Sequence, residues 1–312
     1  MVTLIVGATG MLGTEICRQL SVKGLPLRGL VREGSVGEDV VRGMGVEIVR
    51  GDLKDPRSLR AACQGTGAVV TTANSILRRR KGDSIWSVDR DGHLSLVAAA
   101  RAAGVAHFIY VSIMPQVTDR TPFVRCKRRV EEEVRGSGMT WTVLQPAPFM
   151  EVSLSPLAGW DLGHGRVTLF GSGTVPCSYI SLVDVAQYAV LALERPVFRD
   201  RDVVLGGPEA VAPLDVIREF EAVAGRKFSV RHLPMAIPRL LGLLLRPLNP
   251  GLSSILGMAA GGGVHGEVID MGPVLELARP PSPLTSVRDH AKRVMAREAR
   301  SVPEKLREKV PS

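Results

Sequence analysis

Val2-Thr3-Leu4-Ile5-Val6-Gly7-Ala8-Thr9-Gly10-Met11-Leu12-Gly13 opens the chain, and this stretch decides the fold. Its first five residues are apolar or β-branched and read as a buried strand. Glycines follow at positions 7, 10 and 13, and helical periodicity then runs over Met11–Lys23. Such a junction suits a dinucleotide. The chain turns tightly at Gly7, the backbone at Gly10 can approach a diphosphate, and Gly13 lets helix and strand pack closely. The helix N-terminus offers unpaired N–H groups to phosphate oxygens. Three glycines alone are a weak signal; the strand before them and the helix after them make it specific. Thr9, Met11 and Leu12 share the loop and are assigned to the cofactor with Gly7, Gly10 and Gly13.

Working outward, short apolar runs alternate with helical patterns. Strands are expected at Leu25–Val31, Val46–Val49, Ala68–Thr72, Phe108–Val111 and Trp141–Leu144. Helices are expected at Gly37–Gly43, Asp55–Gln64, Ser84–Ala103 and Pro122–Gly136. Continuous apolar strands joined through helices mean a parallel sheet covered on both faces. The fold class is therefore α/β, a doubly wound parallel sheet of Rossmann type, with a smaller C-terminal substrate lobe. Residues 1–206 are assigned to the dinucleotide-binding core, with 151–175 as an excursion into the lobe. Residues 207–300 form the lobe, with a helix at Leu214–Ala224 and a strand at Phe228–Leu233, and 301–312 form a charged tail. After Pro146, a strand at Ser178–Ile180 and a helix at Val183–Glu194 are expected to return to the main sheet.

The end of the second strand speaks to cofactor choice. A carboxylate there would hold the ribose 2′-hydroxyl of NAD. Here Val31 ends the strand and Arg32 follows, a guanidinium suited to the 2′-phosphate of NADP. Glu33 points the other way, since it could reach the ribose. NADP is read as the cofactor, with NAD as the less favoured alternative. Asp52, before Leu53, can accept from the adenine amino group or cap the helix opening near Asp55. Thr72, Ala73 and Asn74 are small or polar and stand at a strand's carboxyl end, where such sheets bind ligands.

The bulk properties exclude several classes. The 312 residues are 45% hydrophobic and 23% charged, which fits a globular chain. The net charge of +9 is spread among mixed-sign helices, apart from Arg78-Arg79-Arg80-Lys81, and no stacking aromatics lie beside that cluster. Nucleic acid is therefore not the expected partner. The cluster reads as a solvated loop or as a lid beside the nicotinamide half of the crevice. Cys17, Cys63, Cys126 and Cys177 lie far apart with neither zinc nor redox spacing, and the six histidines show no metal-ligand pattern. No metal is expected, the histidines are read as structural, and a reducing cytoplasm is the expected setting. The stretch Leu240–Ala260 is broken by Arg246, Pro247, Asn249 and Pro250, so no transmembrane segment is expected.

Five segments then carry a family likeness. They are Gly7–Gly13, Leu30-Val31-Arg32, Gly51-Asp52-Leu53, Ala103-Gly104-Val105 with Phe108–Ser112, and Gln145–Phe149. In this order and spacing they resemble the atypical short-chain dehydrogenase/reductases of the NmrA-like and isoflavone-reductase-like group, over about residues 1–205. The resemblance implies an NADP pocket in which Ser112 stands at the catalytic serine position and Lys127 at the active-site lysine. It also implies that Pro146, Pro148 and Phe149 hold the nicotinamide, and that Asp184 belongs to a helix-capping element.

The sequence departs from the family at one place. The usual Tyr-x-x-x-Lys appears as Phe123-Val124-Arg125-Cys126-Lys127, and Phe cannot give a proton. Lys127 could donate the proton itself, or could hold the nicotinamide ribose without proton transfer. Tyr110 and Tyr179 are the candidate substitute phenols, with Tyr110 favoured as core. The resulting expectation is an NADP(H)-dependent oxidoreductase acting on a small carbonyl, quinone or activated alkene. The alternative is a non-catalytic NADP(H)-binding sensor or an accessory or assembly subunit with a protein partner, and Phe123 favours it.

Overall fold

A computed structural model describes residues 1–76, 79–117, 121–265 and 268–301, without the side chains of 259–265 and 299–301. The first half runs β1 (Val2–Val6), α1 (Met11–Val22), β2 (Leu27–Val31), α2 (Glu38–Gly43), β3 (Glu47–Arg50), α3 (Pro56–Cys63), β4 (Thr66–Thr71), α4 (His93–Ala102), β5 (His107–Val111), α5 (Pro122–Arg135) and β6 (Thr140–Pro146). The second half runs α6 (Met150–Ser153), β7 (Trp160–Asp161), β8 (Arg166–Phe170), α7 (Leu182–Glu194), β9 (Arg201–Leu205), α8 (Pro213–Ala224), β10 (Ser229–Leu233), α9 (Ala236–Leu245), α10 (Pro250–His265), α11 (Gly272–Leu277) and α12 (Val287–Ser301).

Seven strands form one sheet in the order β3-β2-β1-β4-β5-β6-β9, every neighbouring pair parallel. The order reverses between β1 and β4, which opens a crevice at the carboxyl ends of those strands. Register fixes what lines it. Val6 pairs with Leu30 and with Thr71, so the Gly7 turn, Arg32 and Thr72 leave the sheet at one level. The two faces bury separate apolar clusters. One joins the sheet to α1, α7 and α11 through Ile16, Leu20, Val185, Tyr188 and Val274. The other joins it to α3, α4 and α5 through Leu59, Leu96, Val130 and Val134.

The seventh strand is not where the sequence placed it. Ser178–Ile180 contributes one isolated bridge, Ile180 to Phe149, with Cys177 before it bridging Val211, while Arg201–Leu205 pairs with β6. Two charged residues open β9 and mask its strand character, whereas Tyr179 and Ile180 imitate one. A third apolar cluster combines Met150, Leu154, Trp160 and Leu169 with Val216, Phe220 and Val287. Its small sheet pairs β8 in parallel with β10 and antiparallel with β7. Ile269, Met271 and Val274, by contrast, pack into the first cluster on the main sheet.

The helix expected over Ser84–Ala103 is two differently wound pieces. Ile85–Gly92 is π-helical and continues into α4. Ser84 and Ser87 cap its start reciprocally, each hydroxyl accepting from the other's backbone N–H at 3.0 Å. The wider turn accompanies two contacts. A Cβ at Gly92 would lie 2.9 Å from Leu53 Cβ, and the Asp89 carboxylate turns inward to Ser75. Such windings recur at functional sites.

All four cysteines are buried. Burial pushes the Cys17 thiol up to about 12 and those of Cys63 and Cys126 to about 11.

Candidate functional site

The glycine loop is a cradle shaped by what its residues lack. Gly7 has φ +90°, and a Cβ there would meet Thr72 Oγ1 at 2.8 Å and Ala73 N at 2.9 Å. At Gly13 a Cβ would lie 2.0 Å from the Gly7 carbonyl oxygen, so α1 rests directly on the turn. Gly10 is exposed, and the sole neighbour a Cβ there would meet is the Gly7 oxygen, at 3.2 Å. No side chain caps α1 and no acidic residue occupies its first turn. The open space at Gly10 and the uncapped, positive helix end fit a diphosphate.

A basic group stands at the end of β2. Arg32 Nη1 donates to Asp83 Oδ2 at 2.7 Å, and Lys54 Nζ donates to Asp83 Oδ1 at 2.6 Å. The Arg80 backbone N–H donates to the same carboxylate at 2.9 Å, and Arg80 Nη1 donates to the Glu33 carbonyl at 2.6 Å. The Asp83 side chain is 1% exposed. Burial pushes its carboxyl up, but Lys54, the Arg80 amide and Arg32 together hold it down at about 2. One carboxylate therefore gathers two cationic side chains beside the crevice and anchors the backbone of a third. Glu33 points away, with its carboxylate 89% exposed and 3.7 Å from Arg50.

This arrangement divides the basic cluster read in the sequence. Arg80 lies at the β2 end and not beside β5 and β6. Arg79 donates to the Ser75 carbonyl at 2.7 Å and to Asn249 Oδ1 at 3.0 Å, and Arg78 lies outside the described residues. Asp52 does not cap the third helix. Asp55 does, accepting from Arg57 N and Ser58 N, while Asp52 Oδ1 accepts from Lys54 N at 2.8 Å. Leu53 is buried in the second apolar cluster.

The opposite end of the crevice is built by β4, β5, α5 and the β6 turn. Thr72 N donates to the Val6 carbonyl at 2.9 Å, and Asn74 Oδ1 accepts from Ile76 N at 3.2 Å. Ser75 donates twice to Asp89 Oδ2, from its N–H at 3.1 Å and from its hydroxyl at 2.5 Å. Beyond β6, Met114 N donates to the Pro146 carbonyl, Ala147 N to Leu205 and Ile180 N to the Pro148 carbonyl. Phe149 precedes the short α6.

Lys127 is buried on α5. Its Nζ donates to the Val111 carbonyl at 3.0 Å and lies 4.8 Å from the Tyr110 ring centroid and 5.5 Å from that of Phe123. Burial lowers its pKa, against the opposing pull of Asp89 and Glu131. Burial also raises that of Asp89, against the pull of Lys127 and Ser75. Ser112 donates to Glu131 Oε1 at 2.5 Å. Glu131 further binds Arg128 at 2.6 Å, Arg135 at 3.0 Å and Gln145 at 3.2 Å. Lys127 and Glu131 are one helical turn apart, so both stand on the same face of α5, a spacing visible in the sequence. Asp83 and Asp89 have no comparable local signature.

The phenols divide. Tyr110 is fully buried, its hydroxyl has no hydrogen-bond partner among the described residues, and burial raises its pKa well above the ordinary range. Tyr179 packs against the third cluster. His93 Nδ1 lies 2.9 Å from the Val88 carbonyl, which can only accept, so that nitrogen carries the proton. Nε2 then accepts from Thr71 Oγ1 at 3.1 Å, and burial followed by the Lys127 charge lowers the imidazole to about 3. Ser181 caps α7, and Asp184 instead accepts from Thr285 N and Oγ1. Among the described residues no group of His, Cys, Asp and Glu could hold a metal, and no helix is long and apolar enough to cross a membrane.

Comparison with known proteins agrees with this geometry. Residues 7–196 match a family described as NAD(P)H-binding. The chain is 29% identical to an NAD(P)H azoreductase of Xenophilus azovorans, across 96% of this chain and 95% of that protein. It is also 29% identical to photosystem II assembly factor Ycf39 of Trieres chinensis, across 77% and 75%. Its fold superposes on NADPH-dependent quinone oxidoreductase QOR2 of Escherichia coli, solved with NADPH, with TM-score 0.74, 21% identity and coverage of 95% and 100%. It also superposes on an isoflavone reductase with TM-score 0.70, 18% identity and coverage of 94% and 99%.

Proposed function

Since this chain belongs to the NAD(P)H-binding family, we propose that it is an NADPH-dependent reductase of the NmrA-like and isoflavone-reductase-like kind, acting on a small carbonyl, quinone or activated alkene. Gly7, Thr9, Gly10, Met11, Leu12 and Gly13 would hold the diphosphate. Arg32, with Lys54 and Arg80 held beside it, would favour the 2′-phosphate and hence NADPH over NADH. Asp52 and Leu53 would border the adenine. Thr72, Ala73, Asn74, Pro146, Pro148 and Phe149 would border the nicotinamide half. Bound NADPH supplies a hydride.

The observation that carries the reading is Lys127. It is buried at the β5 end of the crevice, where its Nζ is held by the Val111 carbonyl and where burial outweighs the opposing pull of Asp89 and Glu131. A lysine kept from water gives up its proton more readily than a free one. Lys127 Nζ would supply the proton that accompanies the hydride, in place of the phenol that Phe123 lacks. Ser112, bound to Glu131, would position the end of β5. NADPH oxidation by the purified chain with a panel of quinones, enones, ketones and aldehydes tests this. Turnover of one class supports it, and tight NADPH binding without turnover of any class refutes it.

A second reading, an NADPH-binding assembly or sensing protein, is favoured by Phe123 and by the likeness to Ycf39. Binding without turnover is the outcome that supports it.

A further inference from the structure

Helix α9 presents an apolar surface that no part of the described fold covers. It packs on α10 at Gly242, where a Cβ would meet Leu256 Cβ at 3.4 Å, and Pro238 and Gly242 are its buried residues. The remaining faces look outward. Leu240, Leu243 and Leu244 are 59%, 65% and 60% exposed, Leu248 beyond the helix is 83% exposed, and Ile237 and Leu241 are exposed beside them. At 100° per residue, Ile237, Leu241 and Leu244 form one stripe, with Leu240 and Leu243 along its flank. Arg239 and Arg246, seven residues apart, are exposed together on the far side of that arc. The charge is one-sided over a longer range: from Phe228 to Gly266 the sequence holds Arg231, Arg239 and Arg246 and not one Asp or Glu.

We propose that α9 is a membrane-surface anchor which lays its leucine arc into the interface of an anionic bilayer. A short helix with leucines on one side, arginines at the margin and no acids is the composition of an interfacial helix. The long arginine stems can lie along the apolar surface and carry their guanidinium groups to lipid phosphates. A second copy of this chain fits the face less well. Two such faces brought together would oppose arginine to arginine, with no carboxylate between residues 228 and 266 to answer them. The anchor does not span: the helix is ten residues long, and it lies on the surface.

The test is co-sedimentation of the full chain with vesicles of mixed phosphatidylglycerol and phosphatidylcholine, and with vesicles of phosphatidylcholine alone. The chain is expected to bind the anionic vesicles, less so as salt rises. A Leu240→Ser, Leu244→Ser variant is expected to lose on the order of tenfold or more of that affinity. An Arg239→Gln, Arg246→Gln variant is expected to fall to the level seen with neutral vesicles. Because all four side chains are exposed, both variants are expected to keep the parent's circular dichroism, melting temperature and NADPH affinity, which separates lost docking from lost folding. The proposal is overturned if the parent fails to bind anionic vesicles at low ionic strength, or if the leucine variant binds as well as the parent. It is equally overturned if sedimentation velocity shows the parent to be a dimer that the leucine variant dissolves.

Discussion

Replacing Gly13 by Ala asks whether the glycine loop and α1 act as one unit. The new Cβ would lie 2.0 Å from the Gly7 oxygen, 2.7 Å from Gly7 C and 3.0 Å from Ala8 Cα, all backbone atoms. Ordinary contact begins at 3.4 Å, so α1 must retreat by about 1.4 Å. Gly7 has little room to yield in its place, since even a Cβ on it would lie 2.8 Å from Thr72 Oγ1 and 2.9 Å from Ala73 N. The retreat lifts Leu12, Ile16 and Leu20 away from the sheet. A gap of that size forfeits roughly half or more of each affected contact, and overpacking of this kind costs about 1–3 kcal/mol. The N–H groups at the start of α1 move with the helix, so loss of one charge-assisted hydrogen bond, about 1.5–3 kcal/mol, weakens NADPH binding by roughly ten- to a hundredfold. Urea denaturation and isothermal calorimetry measure the two effects. Gly43→Ala is the control: nothing lies within 4 Å of its Cβ position, so stability is expected to hold or to rise by up to about 1 kcal/mol. A Gly13→Ala protein within about 0.5 kcal/mol of the parent and with unchanged NADPH affinity would refute the argument.

Arg32→Ala is expected to cost about 1.5–3 kcal/mol of NADPH affinity and Arg80→Ala less, with NADH little changed for either; equal losses for both dinucleotides in parallel titrations would show that the group does not read the 2′-phosphate. Lys127→Met is expected to leave NADPH affinity largely intact and to lower kcat by about 10²–10⁴, while the parent's activity falls as pH rises through the lowered lysine pKa. If the same change weakens NADPH binding and saturation restores kcat, Lys127 holds the ribose instead. Stability is expected to fall on acidification below about pH 6.5. His93 and His107 are held neutral by burial at about 3 and about 4, so in this window the unfolded chain takes up protons that the folded one refuses. Each contributes up to about 1.4 kcal/mol per pH unit, and denaturant midpoints that stay flat between pH 6.5 and 4 would contradict that account.

What could be read from the sequence was what is local in it. The strand, glycines and helix at 2–22 announce themselves because each constraint sits within a few residues of the next. The parallel sheet follows from the alternation that repeats to β6. The misreadings have equally local causes. Arg201 and Asp202 disguise β9, and π-winding has no hydrophobic period of its own to betray it. Asp55 rather than Asp52 caps α3, a choice that Pro56 at the first helical position already favoured. The polar centres were less legible because they are long-range. Asp83 meets Lys54 and Arg32 across 29 and 51 residues, and Ser75 meets Asp89 of the π-helical segment across 14. Lys127 could be named from its position in a motif, but its burial under Tyr110 and Phe123 appears only once β5 and α5 are packed.

The four sequestered thiols turn this architecture into a set of clocks. Cys17 lies on the inner face of α1 on one side of the sheet and Cys63 at the end of α3 on the other, both fully buried and both poor nucleophiles until exposed. A thiol reagent therefore modifies each at the rate at which its own layer opens, and the two rates time the two sides independently. A dinucleotide that clamps the start of α1 would slow the labelling of Cys17 more than that of Cys63. Local breathing on either side of the sheet could thus be followed in the intact protein without introducing a probe.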